Sequence, residues 1–140
     1  MNCEQIMQIF PNRGLGELMF GQNRDDVRSQ LGPDYVAFKK TPGASRLTDA
    51  YNRLGLHLYY DEADRLNFIE AFPPSHPTID EVNLLGGNAR SLLQKMEQRG
   101  HAGRVEGDSW FFDDIGVALY APGGSVEGVS IYPPDYYGRK

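Results

Sequence analysis

The sequence predicts an α+β fold with two tandem repeats, each a helix followed by an antiparallel sheet, that share one core. One observation is a weak duplication: residues 20–23 match residues 85–88 at an offset of 65, and residues 49–55 match residues 110–116 at an offset of 61. The other is hydrophobic spacing that is helical at the start of each repeat and alternates after it. A repeat of about 60 residues can scarcely bury its own apolar surface, so a shared core is expected.

The chain has 140 residues and is predicted to form a single domain, 1–140. Repeat one covers about residues 14–72, a proline-rich crossover covers 73–77, and repeat two covers about 78–132. A chain of this length can bury about 68 to 70% of its unfolded surface, so its core needs no metal or disulfide. The one cysteine, Cys3, agrees with this because it has no internal partner.

The helix of repeat one is expected to begin after Asn23, whose side chain is a favourable N-cap. Asp25 and Asp26 would lie at the positive end of the helix dipole. Gly32 and Pro33 would end the helix, which is therefore short.

The helix of repeat two is expected to begin after Asn88 and to end before Gly100. Its apolar residues follow the i, i+3, i+4, i+7 spacing of a helix with one buried face. These residues are Ala89, Leu92, Leu93 and Met96.

Two β-hairpins are expected where apolar and polar residues alternate. The turn of the first lies at residues 61–64, and the turn of the second is the Pro-Gly-Gly sequence at 122–124. A further strand is expected before each hairpin. The predicted strands are 45–51, 54–60, 66–72, 109–112, 115–120 and 126–132.

Three prolines in the segment 73–77 predict a stiff crossover between the repeats. Proline has no backbone N–H and resists both helix and strand. After this segment, residues 78–81 are expected to form a brief helical turn.

The charge of the chain excludes one class of partner. A formal net charge of −5 argues against nucleic-acid binding, which needs clustered Lys and Arg. The acidic residues are concentrated: residues 61–89 contain six of them against Arg65 alone, and residues 105–137 contain six with no Lys or Arg. Such stretches are usually solvated loops, but stretches that converge in the fold would attract a basic partner.

Motifs for catalysis and cofactor binding are missing. Gly14 and Gly16 lack the third glycine of a dinucleotide fingerprint, and Gly86 with Gly87 lacks the lysine of a phosphate-binding loop. The histidines at positions 57, 76 and 101 lack the spacing of a metal-binding pair on one helix. We therefore expect no enzymatic activity, no catalytic residue, no cofactor and no metal.

One face of the predicted sheet carries the candidate site. If the leucines of residues 54–58 face the helices, His57 and Tyr59 face the other way, beside Phe68 and Glu70 of the partner strand. Aromatic side chains among polar groups are typical of a protein-binding surface, but a covering segment would make the same residues a second layer of core. The candidate partner contacts are His57, Tyr59, Phe68, Glu70, Asp113, Asp114, Tyr120 and Tyr132.

The first ten residues contain Glu4 and no Lys or Arg, so they lack the charged and apolar regions of a signal peptide. No apolar stretch approaches the roughly 20 residues that are needed to cross a bilayer. A cytoplasmic protein without a membrane partner is expected.

The sequences GLGELMFG at 14–21 and DDVRSQLGP at 25–33 resemble the opening of many small bacterial proteins. In these, a Phe-Gly pair is followed by a valine and then by Leu-Gly-x-Pro, whereas here Pro33 follows Gly32 directly. Some are immunity proteins of polymorphic toxin systems. The beta-lactamase inhibitor protein and small outer-membrane assembly lipoproteins are similar in placing a helix before an antiparallel sheet, and the inhibitor also has a tandem organisation.

The resemblance implies an immunity protein that binds and occludes a cognate toxin, such as a basic nuclease-like effector. One alternative is a small-ligand binding or enzymatic domain with His57, Tyr59 and Glu70 in a pocket on the sheet. Another is an interaction adaptor without an inhibitory role. The oligomeric state is left open by the sequence.

Overall fold

The computed structural model describes residues 6–44, 46–134 and 136, and it has the mixed α+β fold predicted. These residues form two helices and thirteen strands, which lie in a five-stranded and an eight-stranded sheet. In the same part of the chain, no helix has the length and apolar character needed to cross a membrane. The helices are α1 (Arg24–Leu31) and α2 (Ala89–Gln98), and the strands are β1 (Ile6–Phe10), β2 (Gly14–Leu15), β3 (Leu18–Met19), β4 (Val36–Phe38), β5 (Thr48–Tyr51), β6 (Leu56–Tyr60), β7 (Leu66–Ala71), β8 (His76–Ile79), β9 (Val82–Asn83), β10 (Arg104–Glu106), β11 (Ser109–Phe112), β12 (Val117–Tyr120) and β13 (Gly128–Ile131).

Helix α1 begins and ends where its sequence predicts. The Asn23 side chain accepts a hydrogen bond from the Asp26 backbone N–H at 2.8 Å. Gly32 has a φ of +92°, which favours glycine, and its N–H donates to the Arg28 carbonyl at 2.8 Å. Val27 is the buried apolar residue of this helix, so α1 offers the core little apolar surface.

Helix α2 is also confirmed. The Asn88 side chain accepts a hydrogen bond from the Ser91 N–H at 3.0 Å. Ala89, Leu92 and Met96 are buried on one face, as their helical spacing predicts.

The eight-stranded sheet has the order β10-β11-β12-β13-β7-β6-β5-β4 and is antiparallel throughout. Both predicted hairpins are confirmed, as β6 with β7 and β12 with β13. Three of their strands begin about two residues later than predicted, at Leu56, Val117 and Gly128. Strands β7 and β13 are neighbours, and the sheet divides between them into two halves. The first half contains β4 to β7 and follows α1 in the chain, and the second half contains β10 to β13 and follows α2.

Matching hydrogen bonds occur in the two halves. The Phe72 N–H donates to the Gly55 carbonyl at 2.8 Å, and the Tyr132 N–H donates to the Gly116 carbonyl at 2.9 Å. Both glycines have positive φ, and a Cβ at either position would collide with the carbonyl oxygen of the same partner residue. Glycine is therefore required at the corresponding place in each half.

The five-stranded sheet, in the order β3-β2-β1-β8-β9, corrects the expectation for the proline-rich crossover. Strand β8 begins at His76 and includes Pro77. The last two residues of the segment 73–77 therefore belong to a strand, although the prolines predicted none. β8 pairs in parallel with β1, where Pro77 lies opposite Met7. Proline still offers a carbonyl, and that of Pro77 accepts from the Leu84 N–H at 3.1 Å.

The helical turn predicted at residues 78–81 is wrong. Residues 78 and 79 belong to β8, and Ile79 pairs with Val82 across a two-residue turn to β9. Asp80 and Glu81 form that turn with φ values of +49° and +68°. Positive φ at both central residues is typical of a tight hairpin and not of a right-handed helix.

One hydrophobic core receives side chains from both helices and both sheets. Val27 comes from α1, Leu92 and Met96 come from α2, and Ile9 and Leu15 come from the five-stranded sheet. The leucines of β6 face this core, as the alternation predicts.

Helix α1 is also attached to the sheet by buried charges. The carboxylate of Asp49 on β5 is fully buried and accepts hydrogen bonds from Arg24 at 3.1 Å and from Arg28 at 2.8 Å. The hydrogen bond with Asp49 raises the pKa of Arg28 above its ordinary value. Arg24 also donates to Asp64 at 2.9 Å, and its guanidinium lies 4.1 Å from the centre of the Tyr60 ring.

Candidate functional site

The side of the eight-stranded sheet that faces away from the helices carries most of the predicted contacts. The register of four neighbouring strands fixes this face, because His57 lies opposite Glu70, Glu70 opposite Ser130, and Ser130 opposite Ala118. Alternate residues along each strand share a side of a sheet. We call this surface the open face, and its residues include Val36, Phe38, His57, Tyr59, Phe68, Glu70, Phe111, Ala118, Tyr120, Ser130 and Tyr132.

The structure brings together six of the eight predicted residues on the open face, namely His57, Tyr59, Phe68, Glu70, Tyr120 and Tyr132. Asp113 lies at its margin, where it accepts a hydrogen bond from the Tyr132 hydroxyl at 3.1 Å and pairs with Arg104 at 2.6 Å. Asp114 takes a different partner, His101, at 2.8 Å. The Asp114 carbonyl accepts a hydrogen bond from the Asn12 side chain, and within the described residues these polar contacts of Asp114 do not reach the open face.

The centre of the open face is a covered aromatic cluster. Phe68 contacts Tyr59 with ring centroids 5.4 Å apart and stacks on Tyr132 at 6.2 Å. Tyr136 lies over both rings, 4.8 Å from Phe68 and 6.1 Å from Tyr132. Phe68 and Tyr132 are consequently buried, whereas Tyr120 at the flank is 48% exposed. The two alternatives, binding face and second core layer, therefore apply to different parts of the same surface.

A hydrogen-bond network surrounds Glu70. The Tyr59 hydroxyl donates to Glu70 Oε1 at 2.6 Å, and Lys40 Nζ donates to the Tyr59 oxygen at 2.7 Å. Lys40 Nζ and His57 Nδ1 each lie 3.7 Å from the same Oε1 atom. Burial and the bond to Glu70 raise the pKa of Tyr59, so its hydroxyl remains a donor. Burial lowers the pKa of His57, so the ring is neutral at pH 7.

Two of the cavities on this surface include Glu70 in their walls. The first has a volume of about 410 Å³ and contains the network of Lys40, Tyr59 and Glu70, with Phe111 and Tyr136 among its walls. The second has a volume of about 360 Å³, with His57, Glu70, Phe72, Tyr120, Glu127 and Gly128 among its walls. Glu70 lines both cavities. It therefore lies between the first cavity, which contains Lys40, and the second cavity, which does not.

The acidic stretches meet at the second cavity through one residue from each, Glu70 and Glu127. Several other acids of these stretches are neutralised elsewhere, Asp64 by Arg24, Asp80 by Arg99, Asp113 by Arg104 and Asp114 by His101 when protonated. The excess negative charge is thus not concentrated on the open face as a whole.

The sequence did not indicate Lys40, Phe111, Glu127 or Tyr136 as parts of the site. Phe111 had a usable signal, because alternation along the predicted strand 109–112 extends the face by one strand. Lys40 follows a strand of three residues that shows no clear alternation, and Tyr136 follows two prolines after which the direction of the chain cannot be read. Their positions depend on tertiary packing.

No family model, curated protein or solved structure matches this chain. Within the described residues, no group of three or more His, Cys, Asp or Glu side chains is arranged to hold a metal ion. The groups at the site are aromatic rings, hydroxyls, a lysine and carboxylates, and they are suited to contacting another molecule by packing and charge.

Proposed function

We propose that this chain is an immunity protein that binds a cognate protein toxin with its open face and occludes the toxin's active surface. The toxin is a basic, nuclease-like effector, and the encounter takes place in the cytoplasm. Occlusion requires shape and charge, not a catalytic group, so the aromatic rings of the open face and the two carboxylates at its second cavity, Glu70 and Glu127, are sufficient for it.

The position of the exposed apolar side chains carries this proposal. The described residues include five large exposed hydrophobic side chains, and three of them, Val36, Tyr120 and Tyr136, lie on or against the open face. Tyrosine is enriched at protein interfaces because it combines a large apolar ring with a hydroxyl. Tyr120 and Tyr136 line the same cavity, whereas Val36 lies five strands from Tyr120, on the edge strand β4. Exposed apolar side chains that lie together are typical of a protein-binding site.

We also infer that the two halves of the eight-stranded sheet are copies of one unit. The glycine pair Gly55 and Gly116, with its matching hydrogen bonds, has the sequence offset of 61 that relates the strand motifs. Asn23 and Asn88, which cap the two helices, have the offset of 65. Joining two copies edge to edge makes a sheet twice as wide, which gives a small protein a broad surface for a partner.

A small-ligand binding or enzymatic domain is the second candidate. It is favoured by the two cavities, whose volumes of about 410 and 360 Å³ fall in the range of ligand pockets, and by the contacts of His57 and Tyr59 with Glu70. An adaptor that binds a partner without inhibiting it is the third candidate, and only the biological outcome of binding separates it from immunity.

The test uses a photo-crosslinking amino acid in place of Tyr120, and in a matched control in place of Val105. Both positions are exposed, by 48% and 60%, but the strand register places them on opposite sides of the sheet. We expect the Tyr120 position alone to cross-link a basic protein in lysate of the source organism. Expression of that protein should arrest growth, and co-expression of this chain should restore it.

The same pair of positions provides loss-of-function variants. Tyr120→Asp should abolish protection, because it places a charge where the partner's apolar surface would pack, and Val105→Asp should leave protection intact. A captured protein that is harmless when expressed would favour the adaptor. Protection that survives Tyr120→Asp would contradict binding through the open face.

A further inference from the structure

We propose that the second cavity of the open face, between Glu70 and Glu127, receives an arginine side chain of the protein partner. This inference rests on the proposed function and names the anchor that the partner contributes. The cavity volume of about 360 Å³ is sufficient for a side chain that enters from an opposing surface.

The charges around the cavity favour a cation. Glu70 and Glu127 both line it, and its walls, among the residues that the structure describes, include no lysine or arginine. The remaining titratable wall group that could be cationic is His57, whose pKa burial lowers, so it is neutral at pH 7. Lys40 approaches Glu70 from the first cavity and does not line the second.

Both carboxylates have oxygens available for a ligand. The hydroxyl of Tyr59, Nζ of Lys40 and Nδ1 of His57 all approach Oε1 of Glu70, and within the described residues Oε2 has no hydrogen-bond donor. The backbone N–H of Glu127 donates to the Tyr120 carbonyl at 2.8 Å, which fixes the main chain. Its exposed side chain forms no ion pair with the residues described.

Aromatic rings in the wall favour guanidinium over ammonium. Tyr120 is 48% exposed beside the cavity, and His57 packs edge-on against Phe72 with ring centroids 4.6 Å apart. A guanidinium is planar, stacks on aromatic faces and donates two parallel hydrogen bonds to a carboxylate, whereas a lysine ammonium is a strongly hydrated point charge. Arginine therefore uses both kinds of group that this cavity presents.

Gly128 keeps the cavity open. A Cβ at this position would lie 3.9 Å from both the Ala71 carbonyl oxygen and the Tyr120 Cβ, which is ordinary van der Waals contact. The backbone thus tolerates a side chain here, and a branched one would fill space that now belongs to the cavity. Gly128→Val is consequently a way to close the cavity while both carboxylates are kept.

The experiment is an NMR titration of the full-length ¹⁵N-labelled chain with N-acetyl-arginine amide at constant ionic strength. The neutral isostere N-acetyl-citrulline amide and N-acetyl-lysine amide are titrated in parallel. We expect saturable shifts at Tyr120, Glu127 and Gly128 with arginine amide, in the millimolar range, weaker binding of the lysine compound and none of the citrulline compound.

Three variants complete the test. Glu127→Gln should weaken arginine-amide binding about two- to fivefold, the loss typical of one exposed ion pair, and Gly128→Val should remove the saturable shifts. Glu17→Gln makes the same charge change at an exposed position in the turn between β2 and β3 and should bind like the wild type.

Equal shifts with the citrulline compound, or arginine-amide binding that Gly128→Val leaves unchanged, would overturn the arginine anchor. Protection by Tyr120-dependent binding would then still support the proposed function. Micromolar binding of N-acetyl-arginine amide would assign the cavity to a small ligand and would contradict both proposals.

Discussion

The two halves of the eight-stranded sheet attach their helices by different interactions. In the first half, Asp49 lies opposite Leu58 and binds the arginines of α1. In the second half, the residue at the same register is Trp110, which lies opposite Leu119. Trp110 packs against the apolar core. The helices differ in the same way as the strands. At the offset of 65, Ala89 of α2 corresponds to Arg24 of α1, and Leu93 corresponds to Arg28.

The two helices are thus held to the sheet in different ways, α1 by buried charge and α2 by apolar packing. The charged attachment fixes direction, because Asp49 must meet two guanidiniums at hydrogen-bond distance. It is also the more fragile, since loss of one partner leaves buried charge without compensation. The apolar attachment spreads its contribution over many contacts, and each contact tolerates adjustment.

The largest effect is expected from Asp49→Ala. This change leaves Arg24, itself buried, and Arg28 without their shared carboxylate. We expect the free energy of unfolding to fall by about 3–5 kcal/mol, the range for breaking a buried ion pair by removing one partner. Urea denaturation followed by circular dichroism measures it.

A triple variant turns this result into a comparison of the two halves. Arg24→Ala, Arg28→Leu and Asp49→Trp together give the first half the residues of the second. Replacing a buried ionic group by apolar residues is often neutral or stabilising, so this variant should be more stable than Asp49→Ala. A triple variant less stable than the single one would show that the two attachments are not interchangeable.

The two sheets differ in how far the sequence predicts them. Both helices follow from local signals, the caps Asn23 and Asn88, because a cap is a contact between residues three apart. The hairpins and the open face follow from alternation, which any strand with one buried side must show. The parallel pairing of β1 with β8 joins segments about 70 residues apart, and no local pattern encodes it. For the same reason Lys40 and Tyr136 were missed at the site.

The helix caps should give a smaller and nearly equal effect in the two halves. Asn23→Ala and Asn88→Ala each remove one hydrogen bond to the third residue of a helix, at 2.8 and 3.0 Å. We expect each to cost about 1 kcal/mol in urea denaturation. The control variants Asn23→Gly and Asn88→Gly should cost only a few tenths. A large loss in the first half alone would mean that α1 depends on its cap because its apolar surface is small.

The smallest effect is expected from the protonation of His57, whose place in the second half is taken by Ala118 at the offset of 61. Burial lowers the pKa of His57 below 6.5, and Glu70 partly opposes this shift. Because the unfolded chain binds the proton more readily, the neutral His57 ring stabilises the folded protein above pH 6.5. This contribution is lost as the pH falls through 6.5 toward the folded pKa.

NMR titration of the His57 ring should therefore give a midpoint below 6.5, and Glu70→Gln should lower this midpoint further. The wild type should lose more stability than His57→Gln between pH 7.5 and 5.5. A midpoint at or above 6.5 would mean that Glu70 outweighs burial, and the open face would then become cationic in mild acid.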